Sequence, residues 1–212
     1  MDAPFWHNRW ETNEISFHKD EANPLLVEHF NALSLENGSR VFIPLCGKTR
    51  DIAWLLSNGY RVAGAELSRI AVGQLFDDLG VEVKISREGE LDHYQADSID
   101  VFAGDIFALT RNLLGPVDAI YDRAALVALP REMRSKYTLH LREITNTAPQ
   151  LLICYEYDQA LMDGPPFSVT DAEVERHYKD RYELNLITRF IIPGGLKGKA
   201  EARENVWVLK NS

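Results

Sequence analysis

The stretch "VFIPLCGKTRDIAWL", residues 41–55, joins an apolar run to a helical pattern through one glycine, Gly47. The run 41–45 predicts a buried strand, and residues 51–57 predict a helix with a glycine just after its end. In α/β proteins, ligands bind where such strands end. What the turn around Gly47 holds therefore decides what the protein does.

The same alternation of strand and helix continues along the chain. The further predicted strands are residues 61–65, 99–103, 117–121 and 151–155. Such alternation implies parallel pairing through right-handed crossovers. The runs 182–192 and 204–209 have no helix between them and predict an antiparallel hairpin. We therefore predict an α/β fold: a Rossmann-like three-layer sandwich whose mostly parallel sheet ends in a C-terminal antiparallel hairpin, in a single domain spanning 1–212.

Three predicted helices have clear start signals. Ser68 caps the first helix and Gly80 ends it, Pro130 suits the first position of the second, and Thr170 with Glu173 forms a capping box for the third. The predicted inward faces are Val72, Leu75, Phe76 and Leu79 in the first helix, and Met133, Tyr137, Leu141 and Ile144 in the second.

Composition excludes several classes of protein. The 212 residues are 45% hydrophobic and 26% charged, which is typical of a globular domain. A net charge of −9 without a basic stripe argues against nucleic-acid binding. No apolar run approaches the ~20 residues that span a membrane, and the start of the chain has no signal-peptide pattern. We expect a cytoplasmic monomer that binds neither nucleic acid nor membrane.

The turn at Gly47 lacks the glycines that phosphate binding requires. A phosphate-binding loop would place its first glycine at Phe42, and a dinucleotide fingerprint needs three glycines. Glu66, however, lies at the end of the second strand, about 20 residues after Gly47, where a carboxylate can accept both ribose hydroxyls. Asp105, with Ile106 beside it, follows the third strand and can take an adenine amino group. A nucleoside without phosphates fits, and S-adenosylmethionine is the commonest such cofactor.

Metal and nucleophile motifs are missing from the sequence. The six histidines show no ligand spacing, and His18 is interpreted as a surface or core residue. Cys46 is interpreted as a small residue in a tight turn rather than a nucleophile. We expect no metal and no covalent intermediate.

Five segments together resemble the thiopurine S-methyltransferases in their bacterial form. They are "FHKDEANPLL" (17–26), "RVFIPLCGK" (40–48), "GAELS" (64–68), "YDRAALVAL" (121–129) and "YEYDQALMDGPPFSV" (155–169). The resemblance implies a Rossmann-like enzyme that moves the methyl group of S-adenosylmethionine to the sulfur of aromatic and heterocyclic thiols. Some bacterial members are also linked to the methylation of selenium and tellurium compounds.

The resemblance also implies site residues. It places Trp10, Leu45, Glu66 and Arg123 against the cofactor, with Trp6, Gly47, Leu67, Asp105 and Ile106 as their neighbours. Phe17 matches a substrate contact. A second substrate-side arginine of the family corresponds to Arg189 or Arg203, and Arg189 is the substrate residue that we name.

Two assignments keep a structural alternative. Arg123 can stabilise a thiolate by favouring the anion, or it can form an ion pair with Asp122 or another carboxylate. Trp6 and Trp10 lie four residues apart on one helical face. They can form an aromatic lid, within residues 1–20, that excludes water from the cofactor, or they can belong to the core.

Two other functions share the predicted fold. A nicotinamide-dependent reductase would also use a ribose-binding acid, but the missing glycines argue against it. A protein that binds S-adenosylmethionine for a different small-molecule acceptor, or without catalysis, would keep Glu66 and Asp105. Turnover of an aromatic thiol separates these alternatives.

Overall fold

The computed structural model describes residues 3–211. It contains two compact units, Met1–Ala119 and Ile120–Ser212, which are treated in turn. Met1 and Asp2, the first residues of the predicted lid segment 1–20, and Ser212 at the other end lie outside the described range. Among residues 3–211, no helix combines the length and apolar character needed to cross a membrane.

The first unit is an α/β structure with a five-stranded sheet. Its helices are α1 (Ala3–Glu11), α2 (Pro24–His29), α3 (Arg50–Ser57), α4 (Arg69–Leu79) and α5 (Arg111–Leu114), and its strands are β1 (Arg40–Pro44), β2 (Arg61–Glu66), β3 (Lys84–Glu88), β4 (Leu91–Ala96) and β5 (Ile99–Ala103). The strand order is β3-β4-β5-β2-β1. The pairs β1–β2 and β2–β5 are parallel, so these three strands end at the same edge of the sheet.

Local sequence explains the central part of this unit. The side chains of Val41, Phe42 and Ile43 are buried, as expected for a strand inside a parallel sheet. The Ser68 hydroxyl accepts a hydrogen bond from the backbone N–H of Ala71 at 3.3 Å, and Gly80 ends α4 with a φ of 66°. Both end signals predicted for α4 are therefore confirmed.

The antiparallel pair β3–β4 was not predicted. Lys84 pairs with Gln95 at one end of the hairpin and Glu88 pairs with Leu91 at the other. Its side chains are mostly polar, and Ile85 is exposed, so there is no clean alternation of apolar and polar residues to indicate strands. β4 continues into β5 as another antiparallel pair.

The second unit is a four-stranded sheet with two main helices. Its strands are β6 (Ala119–Arg123), β7 (Gln150–Tyr157), β8 (Tyr182–Ile191) and β9 (Ala202–Asn211), and its helices are α6 (Arg131–Thr145) and α7 (Asp171–Tyr178). The order is β6-β7-β9-β8, with β6 parallel to β7 and the other two pairs antiparallel. The predicted C-terminal hairpin is confirmed, with an irregularity between Leu186 and Thr188.

The two helices of this unit are held by a buried ion pair. Arg134 of α6 and Glu173 of α7 approach to 2.9 Å, and both side chains are buried. Thr170 accepts a hydrogen bond from the backbone N–H of Glu173 at 3.3 Å, which is one half of the predicted capping box. The Glu173 carboxylate accepts hydrogen bonds from Arg134 and His177 instead of supplying the other half.

Candidate functional site

The turn after β1 has an unusual backbone shape. Gly47 has a φ of 53°, and Leu45 has a φ of 48°, a left-handed conformation that a leucine rarely adopts. Such strain persists where the surrounding structure holds it, commonly at ligand sites. The backbone N–H of Cys46 donates to the carbonyl of Ala65 at 2.9 Å, which ties this turn to β2.

Glu66, the last residue of β2, braces two turns with one carboxylate. Its Oε2 accepts from the N–H of Gly47 at 2.8 Å, and its Oε1 accepts from the N–H of Ser68 at 2.8 Å. The residue is only 6% exposed. Burial raises the pKa of Glu66, while hydrogen bonds from the backbone of Ser68, Gly47 and Leu67 oppose that rise. Each carboxylate oxygen has a second lone-pair direction, so both can still accept a hydroxyl hydrogen bond.

The indole ring of Trp10 lies directly over Gly47. A β-carbon at position 47 would lie 3.1 Å from Cζ2 of Trp10, closer than most real contacts. Trp10 is 4% exposed, whereas Phe17, whose ring meets both Trp6 and Trp10 edge-on with centroids 5.7 Å apart, is 40% exposed. Gly47 is therefore required both for its backbone angle and for this ring contact.

Asp105 follows β5 at the same edge of the sheet. It caps a short 3-10 turn, with its Oδ1 accepting from the N–H of Phe107 at 3.0 Å, and Ile106 beside it is buried. The N–H of Gly104 donates to the carbonyl of Glu66 at 2.8 Å, so the ends of β2 and β5 are joined. Asp105 is exposed and can present its carboxyl to a ligand.

Six predicted cofactor residues thus share one edge of the first unit. Leu45 and Gly47 follow β1, Glu66 ends β2 and Leu67 follows it, and Asp105 and Ile106 follow β5. The donor set offers carboxylate acceptors for hydroxyl and amino groups but no glycine-rich row of N–H donors for phosphate. This chemistry fits a nucleoside without phosphates, as the sequence predicted.

Cys46 has the environment of a structural cysteine. It is buried, and burial, followed by the nearby Glu66, raises the pKa of its thiol well above the ordinary value. A β-carbon at position 64 would lie 3.0 Å from its Sγ, so Gly64 makes room for it. A thiol held neutral is a poor nucleophile, which agrees with the small-residue interpretation. Within residues 3–211, no group of three or more His, Cys, Asp or Glu side chains could hold a metal ion.

In the second unit, Asp122 and Arg123 have different partners. Asp122 is fully buried: its Oδ1 accepts from the N–H of Leu126 at 3.1 Å and its Oδ2 accepts from the Tyr137 hydroxyl at 2.7 Å. Burial raises the pKa of Asp122 to about 6. Burial raises the pKa of Tyr155 to about 12, and Arg123, at the end of β6, opposes that rise.

Arg189 lies on the opposite face of the sheet from Arg123 and Tyr155. Arg189 pairs with Asn205 in the β8–β9 ladder and forms an ion pair with Asp171. Asn205 donates to Glu156 at 2.6 Å, and Glu156 also binds Arg203 at 3.0 Å. The structure therefore does not bring Arg189 or Arg203 to the face that Arg123 and Tyr155 share.

Sequence reasoning missed two residues beside Arg123. Tyr155 of β7 and Glu204 of β9 are direct partners in the antiparallel ladder, and each affects the pKa of the other. Each stands in a polar stretch, "YEY" and "ARENV", in which neighbouring residues point to opposite faces. The alternation shows that Tyr155 and Glu204 point away from the faces of their neighbours in the chain. Only the strand register shows that both lie on the face of Arg123.

Known proteins resemble the chain over its full length. Residues 1–211 match the model of the thiopurine S-methyltransferase family. The thiopurine S-methyltransferase of Xanthobacter autotrophicus is 55% identical, and that of Teredinibacter turnerae is 49% identical. The alignment covers 100% of this chain in both cases, with 100% and 99% of the respective relatives.

Solved structures share the fold at low identity. A Burkholderia thailandensis 1,6-didemethyltoxoflavin-N1-methyltransferase, solved with S-adenosylhomocysteine bound, superposes with a TM-score of 0.66 at 14% identity. The match covers 99% of this chain and 87% of that one. The Rossmann-like α/β fold predicted from the sequence is therefore confirmed. With the family model and two near full-length relatives in agreement, the chain belongs to the thiopurine S-methyltransferase family.

Proposed function

We propose that this protein is a thiopurine S-methyltransferase, which transfers the methyl group of S-adenosylmethionine to the sulfur of aromatic and heterocyclic thiols. The observation that carries the proposal is Glu66, a buried carboxylate at the shared edge of β1, β2 and β5. Its two oxygens are held by backbone N–H groups and retain acceptor capacity for ribose hydroxyls. Family membership over the whole chain supports the same cofactor and reaction.

The residues of the first unit would bind and orient the nucleoside. Glu66 accepts the ribose hydroxyls, Asp105 accepts from the adenine amino group and Ile106 supplies apolar contact. Trp10 lies against Gly47, and Trp6 with Phe17 extends its aromatic surface. Leu45 and Leu67 complete the predicted lining. The hydrogen bonds from Gly47 and Ser68 place the Glu66 carboxylate before the ligand arrives, which reduces the entropy lost on binding.

The reaction mainly requires that the thiolate, the methyl group and the leaving sulfur are aligned. When bound, S-adenosylmethionine supplies a methyl group already activated by its sulfonium charge. The protein has to hold a thiolate in line with that methyl group and exclude water, which the aromatic cluster does. Arg123 would stabilise the thiolate, because a nearby positive charge lowers the pKa of a thiol. Arg189 as a further substrate residue, and Arg123 as a cofactor contact, stay predictions.

The wider assignments follow from the same proposal. We infer a single methyltransferase domain, a monomer in the cytoplasm and a small-molecule partner rather than nucleic acid. Selenium and tellurium compounds extend the acceptor range, as the resemblance implies. The alternative is a relative that binds S-adenosylmethionine but methylates a different small molecule.

Two measurements test the proposal. Calorimetric titration should show binding of S-adenosylmethionine and S-adenosylhomocysteine but not of NADH. Incubation with thiophenol or 6-mercaptopurine should release S-adenosylhomocysteine and the methyl thioether in equal amounts. Binding of the cofactor without turnover of any aromatic thiol would favour the alternative acceptor, and binding of NADH alone would favour a reductase.

A further inference from the structure

One face of the second unit's sheet brings three functional side chains together across three strands. In the β6–β7 ladder Arg123 lies opposite Ile153, and in the β7–β9 ladder Tyr155 lies opposite Glu204. Ile153 and Tyr155 are two residues apart, so they share a face, and partners in a ladder share a face as well. The register therefore places Arg123, Tyr155 and Glu204 on one side of the sheet.

The side chain of Tyr155 lies between the two charges. β7 lies between β9 and β6, so the register places Tyr155 between Glu204 and Arg123. A phenol has one proton, so a hydroxyl in this position can donate to the carboxylate and accept from the guanidinium. Burial raises the pKa of Tyr155 to about 12, which keeps the hydroxyl protonated, and burial also raises the pKa of Glu204.

The opposite face shows what a structural ion pair looks like in this sheet. There Glu156 contacts Arg203 directly, with Nη2 to Oε1 at 3.0 Å and Nε to Oε2 at 3.1 Å. On the face of Arg123 a tyrosine side chain lies between the carboxylate and the cation instead. A hydroxyl between a carboxylate and a cation is able to pass a proton from one side to the other.

We propose that Glu204 accepts the proton of the thiol substrate, through the hydroxyl of Tyr155, while Arg123 holds the thiolate that forms. This inference rests on the proposed function. It adds Tyr155 and Glu204 as catalytic residues in the acceptor site, which would take a neutral aromatic or heterocyclic thiol.

The step balances in atoms and charge. The S–H bond breaks, its proton goes to the oxygen of Tyr155, and the tyrosine's own proton goes to the Glu204 carboxylate. The electron pair left on sulfur forms the new bond to the methyl carbon, and the bond from that carbon to the sulfonium sulfur breaks. Glu204 then loses its proton to water. During proton transfer the negative charge moves from Glu204 to sulfur, and the sum over the site is unchanged.

The surroundings of Glu204 are consistent with this role. Arg123 and Tyr155 are the charged and titratable groups that face it from β6 and β7. From β8 its ladder partner is Phe190, which carries no charge and is 46% exposed. An aromatic side chain beside the proton acceptor suits an aromatic thiol.

The test is a thiol series on the full chain with Glu204→Gln. The series runs from nitrothiophenol, ionised at the assay pH, through methoxythiophenol to an alkanethiol that is not. For the least acidic thiols we expect kcat/KM to fall about 10²-fold or more, as for a lost general base. For the ionised thiol we expect no loss or a gain, because the variant no longer repels an anion.

A second variant and a matched control keep the test decisive. Tyr155→Phe removes the bridging hydroxyl and should give the same dependence on thiol acidity, even if Glu204→Gln folds poorly. Glu156→Gln removes a half-buried carboxylate from the opposite face of β7 and should change all thiols by one common factor. Thermal melting of each variant measures how far the substitution destabilises the fold.

The outcomes separate the inference from the proposed function. A wild-type protein that methylates thiols, with Glu204→Gln and Tyr155→Phe each reducing every thiol equally, overturns the relay alone. A wild-type protein that methylates no thiol overturns the proposed function and the relay with it. A loss confined to the un-ionised thiols supports both.

Discussion

Replacing Glu66 by glutamine should weaken both ligand binding and the fold, by separable amounts. The carboxylate accepts from Gly47 on one oxygen and from Ser68 on the other, and an amide has only one oxygen to offer. One backbone N–H therefore loses its acceptor, which costs about 1–3 kcal/mol of stability. For a chain of this length, each kcal/mol lowers the melting temperature by about 2–4 °C.

The substitution should also weaken ligand binding, in addition to its effect on stability. A charge-assisted hydrogen bond from a ribose hydroxyl is worth about 1.5–3 kcal/mol, so Kd should rise roughly tenfold to a hundredfold. Titration calorimetry with S-adenosylhomocysteine, well below both melting temperatures, measures Kd, and scanning calorimetry measures the fold. Glu173→Gln is the matched control, because it removes a buried carboxylate bound to Arg134 and should lower the melting temperature without changing Kd.

One result would refute the reasoning. If Glu66→Gln lowers the melting temperature but binds S-adenosylhomocysteine like the wild type, the carboxylate only braces the two turns. The ribose assignment would then move to another group at the same edge of the sheet.

Three further predictions concern other parts of the chain. Arg123→Met should slow methylation most for the least acidic thiols, about tenfold for each unit of thiol pKa that the arginine supplies, and equal losses across a thiol series would remove it from the mechanism. Residues 3–20 should exchange amide hydrogens quickly without cofactor and slowly with S-adenosylhomocysteine, whereas strong protection in both states would make α1 a core helix. The wild type should lose stability as the pH rises from 3.8 to about 6, because the buried carboxyl of Asp122 must ionise across that range. Asp122→Asn has no carboxyl to ionise, so the variant should not show this loss. Above pH 6 the variant should be more stable than the wild type by at most about 3 kcal/mol, since the pKa shift is about two units at ~1.36 kcal/mol each. Urea denaturation of both proteins below pH 3.8 and above pH 6 measures this difference, and the same difference at both pH values would contradict the assignment.

Most of the fold was readable from local patterns, because the buried strands are continuous apolar runs and the helices have capping residues. The hairpin β3–β4 was not, since its strands "KISRE" and "LDHYQA" are largely polar and packing in the folded chain decides their conformation. β6 also begins and ends two residues later than predicted, which makes Arg123 its last residue rather than a residue after it.

The residues of the candidate site also fall into a predictable group and a group that needed the structure. Glu66, Gly47 and Asp105 were predictable because they follow strands that are neighbours in one parallel sheet, and the edge they share follows from topology alone. Tyr155 and Glu204 lie about fifty residues apart in the chain, and only the register of an antiparallel ladder makes them partners. Without the strand pairing, the sequence does not show which residue of "YEY" and which residue of "ARE" lie on the same face as Arg123.

The alternation along β9 restricts how the C-terminal part of the chain can change in evolution. Glu204 faces the hydroxyl of Tyr155, while Arg203 and Asn205 on either side of it bind Glu156 on the other face. The connection between β8 and β9 is exposed over most of residues 192–199 and can gain or lose residues without disturbing either face. A single residue inserted between Glu204 and Trp207 would exchange the two faces for one end of the strand. Length variation among relatives should therefore collect in the connection, whereas the spacing inside β9 should stay constant.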